Sequence, residues 1–343
     1  MAIVQRSDTT GRPAWRLPRL AGDRLPLLLV PALVLLALPL IGAFPAWITL
    51  TLAGLAMGMM IFIMASGLTL VFGLMDVLNF GHGAFISIGA FLATLVLLPL
   101  AAWMQADNIW MNLAAIALAI VVAMAGTGAL GLVFERVIVR PVYGQHLKQI
   151  LVTMGGLIIA EQMIHVLWGP QQIALPLPTG IRGAIVVGEV ALERYRLFAV
   201  GVGLVVLIGM LLVLNRTRLG LLIRAGVENS EMVQALGYDI RRLFVLVFVA
   251  GSALAGLGGV MWGLYREVLV AGMGMEVMVL VFIVIIIGGL GSVWGCFIGA
   301  LMVALLANYT GFLMPKVALG SNILLMVLIL LWRPQGLYGG AKR

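Results

Sequence analysis

Hydrophobic positions in this chain come in long unbroken runs, not in the three-or-four spacing of a helix on a protein surface. They lie at 25–44, 46–74, 82–104, 110–134, 150–168, 196–214, 243–264, 277–290, 293–313 and 318–332. About 20 apolar residues carry a helix across the hydrocarbon core of a bilayer, so the pattern predicts an all-α polytopic membrane protein of about ten transmembrane helices. The run at 46–74 is long for one helix, and two runs meet at Gly288 to Gly295; reading either region as re-entrant leaves eight. The run at 25–44 exceeds the apolar stretch of a secretory signal and has no small-residue cleavage site, which makes it a retained first helix. Most connections are a few residues long. Two are not: 169–195, where Pro170, Pro176 and Pro178 stop the helix and Ile185 to Val187 before Gly188 predict a short hairpin, and 215–242.

Composition removes whole classes of function. With 63% apolar and 10% charged residues and a mean hydropathy of +1.17, the chain cannot solvate a globular surface and is no water-soluble enzyme. The net charge of +8 is one of position, not of nucleic-acid binding. Arg6, Arg12, Arg16, Arg19 and Arg24 fill an arm over 1–25, and Arg136, Arg140 and Lys148 share one connection. Arg216, Arg218, Arg224, Arg241 and Arg242 share another, and Arg333, Lys342 and Arg343 end the chain in a tail over 337–343. Strict alternation puts all of these on one side, which the positive-inside rule makes cytoplasmic. The membrane-embedded body then spans 26–336 with both termini inside, 169–195 as an outer loop and 215–242 as an inner one. Cys296 is the only cysteine, so no disulfide framework or cysteine-rich metal site exists.

No motif supplies ATP chemistry. Lys148, Lys316 and Lys342 are the only lysines, and none precedes Ser or Thr after a glycine-rich turn. Gly126, Gly128 and Gly131 match the spacing of a dinucleotide fingerprint but sit inside an apolar helix with no strand before it. Glycine serves packing instead. Gly251, Ala255, Gly259 and Gly263 line one helix face, and Gly291, Gly295 and Gly299 line another if that helix is continuous, each a stripe for close backbone approach within the subunit or against a second one.

Polar groups at membrane depth mark candidate chemistry. Asp76 to Phe85 places a carboxylate, Asn79, Phe80 and His82 between two spans, as either a pathway element or a helix cap. Glu161 and His165 stand four apart on one face, able to pair with each other, to meet a substrate ammonium or to relay protons. His146 adds nothing to a metal site there, and no metal is expected. In the inner loop, Glu228 to Leu236 has helical spacing, with Met232, Val233, Ala235 and Leu236 apolar and Gly237 at the C-terminus. Its polar residues, Glu228, Glu231 and Gln234, are not the cations of a lipid-surface helix, so it predicts a protein partner beyond the membrane lipid itself.

These residues resemble a family. Arg224-Ala225, Glu228, Ala235-Leu236-Gly237 and the apolar helix from Phe248 to Gly263 are similar to the coupling segment of an ABC importer permease. Gly67 to Gly73 running into Asn79-Phe-Gly-His-Gly83, Thr153 to Gly156 with Gln162 and Trp168-Gly169, and Gly288 to Gly295 resemble, in the same order, permease subunits of branched-chain amino acid importers. The likeness covers about residues 48 to 336 and is closer to the first of the two paired permeases.

The resemblance implies a type II importer-like bundle with inverted repeats over helices two to five and seven to ten, in a bacterial inner membrane. It implies a second permease, two cytoplasmic ABC ATPases that hold ATP-Mg, and a periplasmic binding protein, with no nucleic acid, no catalysis by this chain and no cofactor bound to it. ATPase closure would pull on 228–237 and open the dimer interface past Asn79 to Gly83. Glu161 and Asp76 depart from the family's usual apolar or small residues, so urea, amides or aromatic acids stand beside branched-chain amino acids as solutes. The rival reading is an ion-coupled secondary transporter working through Glu161 and His165.

Overall fold

In the computed structural model, residues 25–338 are described, apart from the side chains of Val227, Glu228, Ser230 and Leu319. All of the Arg-rich arm but Leu25, and the last five residues of the tail, lie outside the described residues.

Ten apolar helices occur where the runs predict them. In chain order the helices are α1 (Leu25–Ile41), α2 (Phe44–Met75), α3 (His82–Leu97), the short α4 (Ala101–Gln105), α5 (Ile109–Phe134), α6 (His146–Trp168), α7 (Arg194–Arg216), α8 (Arg218–Glu228), α9 (Ser230–Ala235), α10 (Ile240–Arg266), α11 (Met273–Gly288), α12 (Val293–Leu313) and α13 (Ala318–Trp332). Six of them are long and apolar enough to cross a membrane, and α1, α3, α11 and the Gly320–Trp332 part of α13 are shorter apolar helices. The long run at 46–74 is one helix of 32 residues, begun by Pro45 in its first turn. The run at 82–104 is not one helix: α3 stops at Leu97, and α4 follows after a break.

Helix α2 is the axis of the molecule. It packs on α10 and α12, while α10 also packs on α3 and α5. From Met60 to Thr69 every residue of α2 is buried, so its lack of a polar face is that of a core helix. Such burial needs near-contact of backbones. A methyl group at Gly251 would lie 2.7 Å from the Gly67 carbonyl oxygen, and one at Gly259 would strike the carbonyl of Ile86. Gly263 abuts Leu269 and Ala90. The stripe Gly251, Ala255, Gly259, Gly263 therefore serves packing within the subunit.

The second stripe is corrected. The chain leaves helical geometry between Gly288 and Val293, so Gly291 lies in a turn (φ +80°) against Gly73 of α2. Only Gly295 and Gly299 are on a helix, α12, where they meet Gly288 and Val284 of α11. Ser292 fixes the break by accepting a hydrogen bond from the Gly295 N–H at 3.1 Å.

The end of the bundle opposite α8 carries what little sheet there is. Strands β1 (Ile173–Ala174), β2 (Ala184–Val187), β3 (Val190–Glu193) and β4 (Val268–Leu269) form two antiparallel pairs, β1 with β4 and β2 with β3. The second pair is the expected hairpin, turned at Gly188 with φ +63°. Asn112 pins this end: its amide donates to the Trp103 carbonyl at 2.7 Å and accepts from the Gly180 N–H at 2.6 Å.

Candidate functional site

Two of the longest helices end in the same unusual way. Asp76 closes α2 and Glu267 closes α10, each in left-handed geometry (φ 52° and 54°), a conformation costing a non-glycine residue roughly 1 kcal/mol. After each cap the chain turns back along the helix just completed before starting a shorter one. His82, the first residue of α3, bonds through Nε2 to the Met64 carbonyl at 2.8 Å, a point 12 residues before Asp76 on α2. At 1.5 Å per residue that is about 18 Å back along the helix, more than half the thickness of a hydrocarbon core. After Glu267, β4 and Gly272 lead back to α11, whose Gly274 lies against Gly83 and Ser87 of α3, the stretch that also meets Gly259 of α10.

The two re-entering helices meet at their N-termini. Methyl groups at Gly83 or Gly274 would each strike the other residue's carbonyl, so the first turns of α3 and α11 touch backbone to backbone. One hydroxyl secures each approach. Thr153 Oγ1 on α6 accepts from the Phe80 N–H at 3.1 Å. Ser87 Oγ on α3 accepts from the Gly274 N–H and donates to the Ala271 carbonyl, both at 2.9 Å. Apart from the glycine carbonyls, the positive ends of two helix dipoles thus converge inside the bundle.

The residues singled out from sequence divide around this junction. Asn79 and His82 are buried, and Phe80 is half-buried with its ring 4.6 Å from that of Phe282. His82 is committed to Met64, whereas Asn79 Oδ1 has no partner among the described residues. Glu161 stands eight residues beyond Thr153 on α6, beside the start of α11, where a methyl at Gly272 would lie 3.1 Å from its Oε1. A carboxylate there gains from the α11 dipole. The pairing of Glu161 with His165 is corrected: no ion pair joins them among the described residues, and His165 Nδ1 is buried without a partner. The i,i+4 spacing allows such a pair, but α11 offers the carboxylate a better neighbour.

A buried carboxylate that the sequence reading passed over lies at the α8 end. Glu135 opens a π-helical turn, Glu135–Val139, at the close of α5 and is 1% exposed. Tyr143 Oη donates to Glu135 Oε1 at 2.5 Å, while Glu135 Oε2 has no partner among the described residues. Burial, and then the bond to Glu135, push the Tyr143 phenol well above its ordinary range, so it stays a donor. The Tyr143 ring meets Phe244 of α10 edge-on at 5.9 Å. Phe134, next to Glu135, abuts Gly81 at the start of α3 and stacks on Phe248. In the sequence, Glu135 is hidden among Arg136, Arg140 and Lys148; its signal is being the one acidic residue between Asp107 and Glu161. Replacing Tyr143 by Phe is expected to cost about 1–3 kcal/mol by orphaning that carboxylate. Tyr143→Phe with Glu135→Leu should recover most of the loss. Thermal unfolding of the purified protein checks this, and a double variant no more stable than the single would remove the bond from the account.

The 215–242 connection is two helices where one was expected. Asn229 caps α9 by accepting from the Met232 N–H at 2.9 Å, so the second helix starts at Ser230 and Glu228 ends α8. The Glu228 side chain lies outside the described residues. Asp239 caps α10 through the Arg241 and Arg242 N–H groups at 3.1 and 3.2 Å. Gly237 takes φ +86° and ends α9 as predicted. Val233 is buried against the chain, but Met232 is 59% and Leu236 71% exposed, with Tyr238, Glu231 and Ala235 exposed beside them. Arg224 is exposed on α8, 3.4 Å from Asn215 Oδ1. Tyr238 joins this surface without having been singled out, because its aromatic ring follows the glycine that ends the helical pattern.

The family described as the permease component of branched-chain amino acid transport systems matches residues 50–332. The chain belongs to that family. Among its relatives, the high-affinity branched-chain amino acid transport permease BraD of Pseudomonas aeruginosa is 30% identical over 298 residues, covering 83% of this chain and 94% of that one. Permease LivH of Escherichia coli is 28% identical over 293 residues, again 83% of this chain and 93% of its own. A probable permease LivM of Methanocaldococcus jannaschii matches 36% of this chain at 31% identity. No solved structure matches. For this branched-chain permease family member, the likeness to BraD and LivH spans both re-entrant junctions and the α8–α9 surface, and the secondary-transporter reading finds no support.

Proposed function

We propose that this chain is the membrane-spanning permease subunit of an ATP-driven importer, moving branched-chain amino acids or a related small polar solute such as urea, an amide or an aromatic acid. The observation that carries the reading is the family match over residues 50–332, and the exposed apolar side chains Met232 and Leu236 on α9 support it. The chain crosses the inner membrane ten times, α3 and α11 each completing a crossing that the extended segment before it begins, with both termini and the α8–α9 end cytoplasmic and 169–195 facing out. The concentration of arginine at the α8 end supports that orientation.

The chain works with a second permease, two cytoplasmic ATPases that hold ATP-Mg, and a binding protein seated on the 169–195 side. Two inverted repeats, α2, α3, α5 and α6 against α10 to α13, are supported by the matching caps at Asp76 and Glu267 and the head-to-head contact at Gly83 and Gly274. Solute passes Asn79, Phe80, His82 and Glu161 when ATPase closure shifts α9 and, through Phe244 and Tyr143, the end of α5. Half-helices that begin inside the bilayer are how transporters present fixed partial charge to a polar solute.

The tagged protein, purified in mild detergent with whatever it retains and assayed for leucine uptake in proteoliposomes with its binding protein, tests the reading. Two ATPases, a second permease and ATP-dependent uptake are expected. A chain recovered alone, with uptake driven by an ion gradient, would overturn it.

A further inference from the structure

The two helices between α7 and α10 have opposite character. Helix α9 carries Glu231 and shows exposed apolar side chains, whereas α8 carries Arg218 and Arg224 with Arg216 just before it, and its one acidic residue, Glu228, closes its C-terminus. All three arginines are exposed, and none has a carboxylate partner among the described residues. Of the acidic groups nearby, Asp239 is held by Arg242 at 2.9 Å and Glu231 lies on α9. The opposite face of α8 is apolar: Ile223 is buried, and Gly226 packs on Leu74 of α2. This is the composition of a helix lying in a membrane interface, which α9 lacks.

A groove of about 340 Å³ adjoins α8. Met210 and Val213 of α7 form one wall, Ala250 and Leu254 of α10 the other, and Leu219 and Ile223 of α8 close its end, with α2 and α5 behind. The lining has almost no polar surface, so water gains nothing there. A hydrocarbon chain matches so apolar a lining, and Arg218 and Arg224 are the chain neighbours of Leu219 and Ile223, the two α8 residues that line it.

We infer that the groove holds one acyl chain of an anionic phospholipid whose headgroup phosphate is bound by Arg216, Arg218 and Arg224. The lipid would fasten α8 to the bilayer and so give the linked α9 a fixed position. This follows from the groove and the charges and does not depend on what is transported.

Native mass spectrometry of the assembled complex, equilibrated with equal amounts of phosphatidylglycerol and phosphatidylethanolamine bearing identical chains, tests it. The wild-type complex is expected to retain phosphatidylglycerol preferentially. Arg218→Gln and Arg224→Gln should each lower that retention about fivefold and leave phosphatidylethanolamine unchanged. Filling the groove with Ala250→Leu should lower retention of both. No preference in the wild-type complex would overturn the proposal without recourse to any variant. So would a preference that survives both arginine substitutions, or a Leu219→Cys variant that crosslinks to a second permease chain.

Discussion

Replacing Met232 and Leu236 together by Asp is expected to abolish ATP-driven uptake and to release the ATPases from the purified complex while leaving the permease folded in the membrane. The argument starts from burial. Val233, on the inner side of the same short helix, is 3% exposed, so α9 is already anchored to its own chain by one residue. Met232 at 59% and Leu236 at 71% exposure face away from that anchor, and nothing among the described residues covers them. Burying a side chain of either kind against a partner stabilises the contact by about 1.5–3 kcal/mol, so losing both weakens association by roughly 3–6 kcal/mol, a hundredfold or more. Introducing carboxylates adds desolvation to that loss.

Folding should be spared for the reason that makes the residues candidates: an exposed side chain contributes little to the stability of its own subunit. Val233→Asp is the internal contrast, because it buries a charge and should lower the amount of folded protein. Size-exclusion profiles, the ATPase content of the purified complex and uptake rates together read the result. ATPases retained in full amount by the Met232 and Leu236 variant would move the coupling surface away from α9.

How much of this was visible in the sequence follows from which interactions are local. The ten helices were legible because lipid or a packed core both demand unbroken apolar runs, and Gly237 and Asp239 mark the end of α9 and the start of α10 by backbone geometry and local hydrogen bonding. The re-entrant paths after Asp76 and Glu267 were not. A residue that caps a helix and one that begins a return into the bundle look alike in sequence, and only the distant Met64 carbonyl shows how far His82 goes back. The same is true of Glu135, whose burial depends on Tyr143 and the π-turn and not on its basic neighbours. The i,i+4 spacing of Glu161 and His165 misled because it describes what one helix permits, while α11 decides where the carboxylate rests. In the 215–242 connection the helical spacing from Glu228 to Leu236 runs across the Asn229 cap, which puts Glu228 at the end of α8 and starts α9 at Ser230.

The glycines provide the second large expected effect, and they separate packing from propensity within one experiment. Alanine is about 1 kcal/mol better than glycine in a helix interior, so an unconstrained Gly→Ala change should stabilise. Gly201 on α7 and Gly155 on α6 have nothing within 4 Å of an added methyl, and both substitutions are expected to raise the melting temperature slightly. Gly259 and Gly274 are the opposite case. A methyl at Gly259 meets the Ile86 carbonyl and the backbone nitrogen of Ala90, and one at Gly274 meets the Gly83 carbonyl and Ser87 Oγ. Because backbone, not a flexible side-chain end, lies in the way, whole helices must separate. Overpacking of this sort costs typically 1–3 kcal/mol even for a methyl, enough to reverse the propensity gain and lower the melting temperature by several degrees. Gly259→Val or Gly274→Val should leave little folded protein at all, since two further carbons press on the same carbonyls. At Gly274 a second consequence arises, because the Ser87 hydroxyl that takes its N–H would be displaced along with the backbone. The melting curves of the four alanine variants in one detergent decide the matter: equal shifts at Gly201 and Gly259 would mean that α10 and α3 do not touch as described, and equal shifts at Gly201 and Gly274 would remove the argument that the two re-entrant helices, α3 and α11, are held head to head.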